Sequence, residues 1–145
     1  MKKILLAIVF LFILGVLGCI PEKIEIPNAN IPSEDVPGKD LSDVPRFEPS
    51  IRYRYDEESW AGGLKTIFIS YYAFANASEV RQFYLAKMPE FGWNFYGEEG
   101  NELRYSKDPE CESYGPSCWP RVEIRIWKTG KENLTNLEIV YYQSS

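Results

Sequence analysis

Helical periodicity occurs once in the body of this chain, and the segments around it alternate. Val80, Phe83, Tyr84, Met88 and Phe91 recur at spacings of three and four, tracing one face of a helix with Lys87 at its edge. Asn76 and Glu79 stand at capping-box positions before that run, and Pro89 and Gly92 end it. Elsewhere the period is two. Ile51, Tyr53 and Tyr55 alternate with Arg52 and Arg54, and the Gly62-Gly63 dipeptide suits a tight turn into a second strand. That second strand is apolar on both sides, with Ile67, Ile69 and Tyr71 against Phe68, Tyr72 and Phe74, the pattern of a strand covered twice. "WNFYGEEGNELRYSKD" reads as a hairpin turning between Gly97 and Asn101, and "RVEIRIWK" and "NLEIVYYQ" add two more strands. The expected class is α+β: an antiparallel sheet of about six strands with one amphipathic helix, in the order β-β-α-β-β-β-β.

One helix covers one face, so the other face needs its own account. Alternation places Arg125, Trp127, Val140 and Tyr142 away from the helix, with either Tyr71 or Tyr72. Aromatic and arginine side chains anchor protein interfaces, and an aromatic face suits sugars, so these four are the candidate interface residues for an envelope protein or glycan. The competing reading is cross-strand aromatic pairing that stiffens the sheet, with the proline-rich segment laid over it.

That segment, from Ile20 to Ser50, carries prolines at 21, 27, 32, 37, 45 and 49, with acids between them. Such a composition prevents helix and stays solvated. Residues 19–44 therefore read as a tether and residues 45–145 as a single domain. Fully extended, the 25 residues from Ile20 to Val44 would reach roughly 80 Å.

The first eighteen residues have the order of a signal peptide: Lys2 and Lys3, an apolar run from Ile4 to Leu17, then Gly18. Fourteen residues of helix span about 21 Å, short of a bilayer core, and Pro21 blocks extension. Val16-Leu17-Gly18-Cys19 resembles the lipobox of bacterial and some archaeal lipoproteins. That resemblance implies lipidation of Cys19, a mature chain beginning there, and a cell-membrane location on the extracytoplasmic side. Two acyl chains suffice for stable anchoring. Cys111 and Cys118 remain as an even pair outside the cytoplasm, which favours a disulfide. Two thiolates with no further ligand nearby would make a poor zinc site.

The succession "VPRFEPSIRYRY", "SEVRQFYLAKMPEFGW", "ELRYSKD", "VEIRIW" and "LEIVYY" resembles small exported bacterial and archaeal helix-on-sheet domains, whose helix carries a Phe-Tyr pair and leads to Gly-Trp. The likeness covers Val44 to Tyr142. It implies export and a helix packed on a sheet, and brings no activity or active site with it. Phe47-Glu48-Pro49, where that pattern has tyrosine-proline-glycine, and the cysteine loop depart from it.

Charge and composition remove several functions. Without the signal, fourteen basic residues face twenty-one acids, a formal charge of −7 that disfavours a nucleic-acid partner. The chain has no histidine, which eliminates histidine triads and histidine-built zinc sites. Asp56-Glu57-Glu58 and Glu98, Glu99 and Glu102 read as solvated loop charge rather than paired catalytic carboxyls or a calcium loop. No metal, no cofactor and no enzymatic activity are expected. Asn76 and Asn133 head glycosylation sequons, Asn133 being the better acceptor because Asn76 is more simply a helix cap. The expected function is a membrane-anchored, non-catalytic binding or assembly module of the cell envelope. The alternative is a small-ligand-binding accessory of an envelope enzyme or transporter, with the ligand between helix and sheet.

Overall fold

Alternating side chains settle into one six-stranded antiparallel sheet. The computed structural model describes residues 31–111 and 119–144. In chain order the elements are β1 (Ser50–Ser59), β2 (Leu64–Ala73), α1 (Ala77–Lys87), β3 (Asn94–Glu99), β4 (Glu102–Ser106), β5 (Arg121–Lys128) and β6 (Thr135–Ser144), with a 3-10 turn at Met88–Phe91. Across the sheet they lie β1-β2-β6-β5-β4-β3, so β6 is inserted between β2 and β5. The α+β class follows the sequence pattern. The spatial order does not, because every strand but the edge ones has two plausible neighbours.

The helix begins as its cap residues require. The Asn76 side chain accepts from the Glu79 backbone N–H at 3.0 Å, and the Glu79 carboxylate accepts from the Asn76 N–H at 3.2 Å. Val80, Tyr84 and Met88 are fully buried on its sheet-facing stripe. Phe91 is not on that stripe; it is 40% exposed. The helix tightens at Met88–Phe91 to three residues per turn, which rotates Phe91 out of the phase that a 3.6-residue period predicts. Gly92, at φ 78°, then lets the chain reverse so that Trp93 enters the core.

The core lies between the sheet and two covers. Ile67, Ile69, Tyr71, Ile124, Leu137 and Ile139 supply the sheet side, and α1 packs against β5. The second cover corrects the sequence reading. Residues 35–44, expected in the tether, are laid along the same face as the helix, so the packed part of the chain begins some ten residues before Pro45. Arg46 donates to Asp35 at 2.6 and 2.9 Å, the Arg52 backbone N–H donates to Asp35 at 2.8 Å, and Val36 N–H donates to the Arg52 carbonyl at 2.9 Å. Farther along, Asp40 accepts from Arg52 at 2.6 Å and from the Tyr71 hydroxyl at 2.7 Å, and the Trp93 indole N–H donates to the Asp43 carbonyl at 2.6 Å. Leu41, Val44 and Phe47 join the core beneath. This segment is called the strap below.

A β-bulge explains how the strap finds Arg52. Arg52 lies opposite Tyr71 and Arg54 opposite Ser70, leaving Tyr53 as the extra residue. Simple alternation would put both arginines on one side. The bulge sends Arg52 and Tyr55 to the helix side and Tyr53 and Arg54 to the other, and Arg52 is only 6% exposed. The β1–β2 connection is also longer than a two-residue turn: Trp60 to Gly63 separate the strands, closed by Trp60 N–H to the Leu64 carbonyl at 2.7 Å.

Candidate functional site

The sheet face away from α1 and the strap is built from the alternate residues of the same strands. Register sets its centre: Arg125 on β5 is opposite Glu102 on β4 and opposite Glu138 on β6. A cation between two carboxylates on neighbouring strands is a favourable cross-strand row. Arg125 Nε donates to Glu102 at 3.0 Å, Nη1 to Glu138 at 3.1 Å and Nη2 to Glu123, two residues along its own strand, at 2.7 Å. Burial pulls Arg125 down, but Glu102, Glu123 and Glu138 outweigh it and hold the guanidinium above its ordinary range.

The row extends outward on both sides. Arg104 donates to Glu102 at 2.6 Å and also pairs with Glu99, while Arg54 lies 3.8 Å from Glu138 and bonds Asp56. Glu123 is 2% exposed, and it accepts from the Tyr142 hydroxyl as well as from Arg125. Burial, and next the Glu123 charge, push the Tyr142 phenol up to about 12.

Aromatic groups stand at either end of this charged lattice. At one end the Arg121 guanidinium lies 4.7 Å from the Trp119 ring and 4.2 Å from the Tyr142 ring, the two rings meeting edge-on. At the other, Tyr53 and Tyr72 stack at 4.3 Å. Tyr72, not Tyr71, therefore belongs to this face; Tyr71 lies in the core. Trp127 is half-buried, opposite Asn136.

The four candidate interface residues are thus on one face, but they differ in what they offer. Tyr142 and Trp127 keep exposed surface, and Arg125 is held by three carboxylates. Val140 is fully buried beneath its longer neighbours, opposite Glu123 and Phe68, and supports the face without reaching its surface. What the sequence reading missed is the acidic half of the lattice. Glu102 lies in β4, half-buried between two arginines, and is not loop charge. The signal was present: in "VEIRIW" and "LEIVYY" the acids share the parity of Arg125 and Tyr142. Glu98 pairs with Arg81 of α1 on the helix side, whereas Asp56, Glu57 and Glu58 are exposed as expected.

Among the described residues, two cavities lie on the opposite side. One, of about 240 Å³, sits between helix and sheet, lined in part by Ala77, Arg81, Glu98, Leu103 and Ile126. The other, of about 530 Å³, lies between strap and sheet. Among the described residues no group of three or more His, Cys, Asp or Glu side chains is placed to hold a metal ion. No helix among them is long and apolar enough to cross a membrane.

Compared with family models, with curated proteins and with solved structures, the chain has no match. Of the remaining candidate residues, Cys111 is buried, while Cys19 and Cys118 lie outside the described residues, as does the 1–18 signal segment. Asn76 is engaged as the helix cap. Asn133 is exposed in the turn before β6, at φ 56°.

Proposed function

We propose that this chain is a lipoprotein held at the extracytoplasmic side of the cell membrane through Cys19, and that its folded part is a non-catalytic binding or assembly module of the envelope. Within this reading Cys111 pairs with Cys118, and Asn133 serves as the glycan acceptor where the host glycosylates exported chains. The domain belongs with the small exported helix-on-sheet domains it resembles.

One observation carries the binding reading. The face away from the helix is neither a bare apolar surface nor a merely solvated one; it is an ordered Arg–carboxylate lattice bracketed by partly exposed aromatic side chains. Preset side chains lose little freedom on association, so such a face favours a macromolecular partner, an envelope protein or glycan. The second reading, a small-ligand accessory of an envelope enzyme or transporter, is favoured by the 240 Å³ helix–sheet cavity.

Crosslinking on native membranes separates them. A photoreactive group at Trp127 in the lipidated protein is expected to capture one reproducible partner, and a Cys19→Ser variant is expected to leave the membrane fraction. Capture of only bulk surface proteins, or full membrane retention of the variant, would overturn the corresponding half of the proposal.

A further inference from the structure

The charged lattice does not fill the whole interaction face. One row nearer the Ser50 end of the sheet, Ile51 on β1 lies opposite Tyr72 on β2, Tyr72 opposite Asn136 on β6, and Asn136 opposite Trp127 on β5. With Tyr53 stacked on Tyr72, this strip carries no charge, although the adjoining row holds Arg54, Glu138 and Arg125. Ile51, Tyr53 and Trp127 keep exposed surface, and Tyr72 and Asn136 are the floor between them. That floor lacks a donor. Asn136 is 8% exposed, and its side-chain oxygen is buried with no hydrogen-bond partner among the described residues. Leu137, next along β6, faces the core, so alternation turns the Asn136 amide toward the far face. A buried acceptor left unpaired is costly, and an arriving N–H would relieve it.

The chain's own beginning stands beside this strip. Asp35 and Val36 are bonded to Arg52, between Ile51 and Tyr53 on the outer edge of β1. Before them the chain bends at Ser33–Glu34, and Ile31 and Pro32 are half-buried where a solvated spacer would be exposed. Packing therefore continues past the clamp. The residues preceding Ile31 are Ile24-Glu25-Ile26-Pro27-Asn28-Ala29-Asn30. Seven extended residues reach about 22 Å, and four strands span only about 14 Å from first to last. Residues 31–34 are enough to turn an edge whose half-thickness is about 5 Å. The chemistry also fits. In an extended chain Ile24 and Ile26 would share one side with Glu25 on the other, Pro27 brings no N–H to leave unbonded, and the Asn28 and Asn30 amides are donors of the kind Asn136 lacks.

We propose that residues 24–30 turn round the β1 edge and lie across Tyr53, Tyr72, Asn136 and Trp127, an occupant from the same chain that any partner of this face must displace. The displacement rests on the binding reading above; the docking does not. Covered in this way, the aromatic strip is handed over only to a partner that binds it more strongly than the chain's own segment does.

The test uses the full-length protein in detergent with Ile26 replaced by the photoreactive p-benzoylphenylalanine. Irradiation is expected to give crosslinks within one molecule, independent of protein concentration, that map to Ile51, Tyr53, Tyr72 or Trp127. Ile24→Asp together with Ile26→Asp is expected to move the Trp127 indole N–H resonance and to leave that of Trp93, in the core, in place. On native membranes the same pair of changes is expected to raise capture by a photoreactive group at Trp127 about fivefold, the effect of removing about 1 kcal/mol of competition. Crosslinks confined to the helix side, scattered over the surface or formed between copies would overturn the docking, as would a Trp127 resonance indifferent to both aspartates. Equal capture of a partner by both forms would overturn the displacement. Capture that fails in both forms while the crosslinks to the strip persist would instead overturn the binding reading and leave the docked segment in place.

Discussion

The two faces of this sheet are made from the same strands and solve the same problem differently. On one, Ile69, Ile124 and Leu137 are fully covered because a helix and a strap are added on top. On the other, Glu123 and Val140 are equally buried with neither helix nor strap among the described residues above them; the long side chains of the face cover its own floor. Burial on the first face rests on apolar area, which is non-directional and tolerant. On the second it rests on charges whose partners must all be present, since a buried carboxylate without its cation is costly. The same degree of burial therefore predicts different sensitivities.

The largest effect is expected on the covered face. Trp93 is 1% exposed, meets Tyr141 edge-on and holds the strap through Asp43, so Trp93→Ala is expected to cost about 4 kcal/mol in urea unfolding. Next comes the centre of the lattice. Arg125→Ala, removing the cation shared by Glu102, Glu123 and Glu138, is expected to cost about 2 kcal/mol, less than a fully buried pair because Arg125 retains some exposure. Adding Glu123→Gln to that variant is expected to recover part of the loss. If the two changes were instead additive, the lattice would be a row of independent surface pairs and the contrast between the faces would fail.

Two smaller effects probe the strap. Gly38→Ala would drive a methyl group into the Tyr55 ring and is expected to cost about 1–2 kcal/mol, read as faster hydrogen exchange at Val36 N–H, which bonds the Arg52 carbonyl. Acid should act at the same place. The Arg46 guanidinium beside Asp35, aided by the Arg52 backbone N–H, holds its carboxyl down to about 2. A carboxyl lowered on folding stabilises the folded form above its ordinary range and ceases to do so as pH falls through the lowered value. The strap's N-terminal end is thus expected to loosen between about pH 4 and about pH 2, by about 1 kcal/mol given how exposed Asp35 is, with the Val36 amide shift as readout. An amide shift that stayed constant across that window would remove Asp35 from the clamp.

Much of this architecture is legible in the chain because local rules act over short distances. The Asn76–Glu79 cap, the Val80–Tyr84–Met88 stripe and the shared parity of Arg125, Trp127 and Tyr142 each depend on residues a few positions apart. The strap is not legible, and the reason is physical. Its prolines and acids are those of a solvated spacer, and what fixes it to the sheet is pairing across long separations, Asp35 with Arg46 and Asp40 with Tyr71, that no periodicity reports. The bulge at Tyr53 hides Arg52 in the same way, by shifting phase where alternation assumes none. Of the two cavities described, the strap's was invisible for that reason, while the interaction face could be located but its half-buried Glu102 was read as loop charge and Glu123 and Glu138 were given no part in it.

The docked strap also bears on the attachment proposed above. If the chain is anchored at Cys19, a fully extended spacer would run only to Glu34, fifteen residues after the cysteine, a greatest reach of about 45 Å rather than about 80 Å. A load transmitted along it would arrive first at Asp35 and Val36, where charged and backbone hydrogen bonds join it to β1, an edge strand. The sheet would thus hang from its edge by a clamp that can open while the core behind it remains closed.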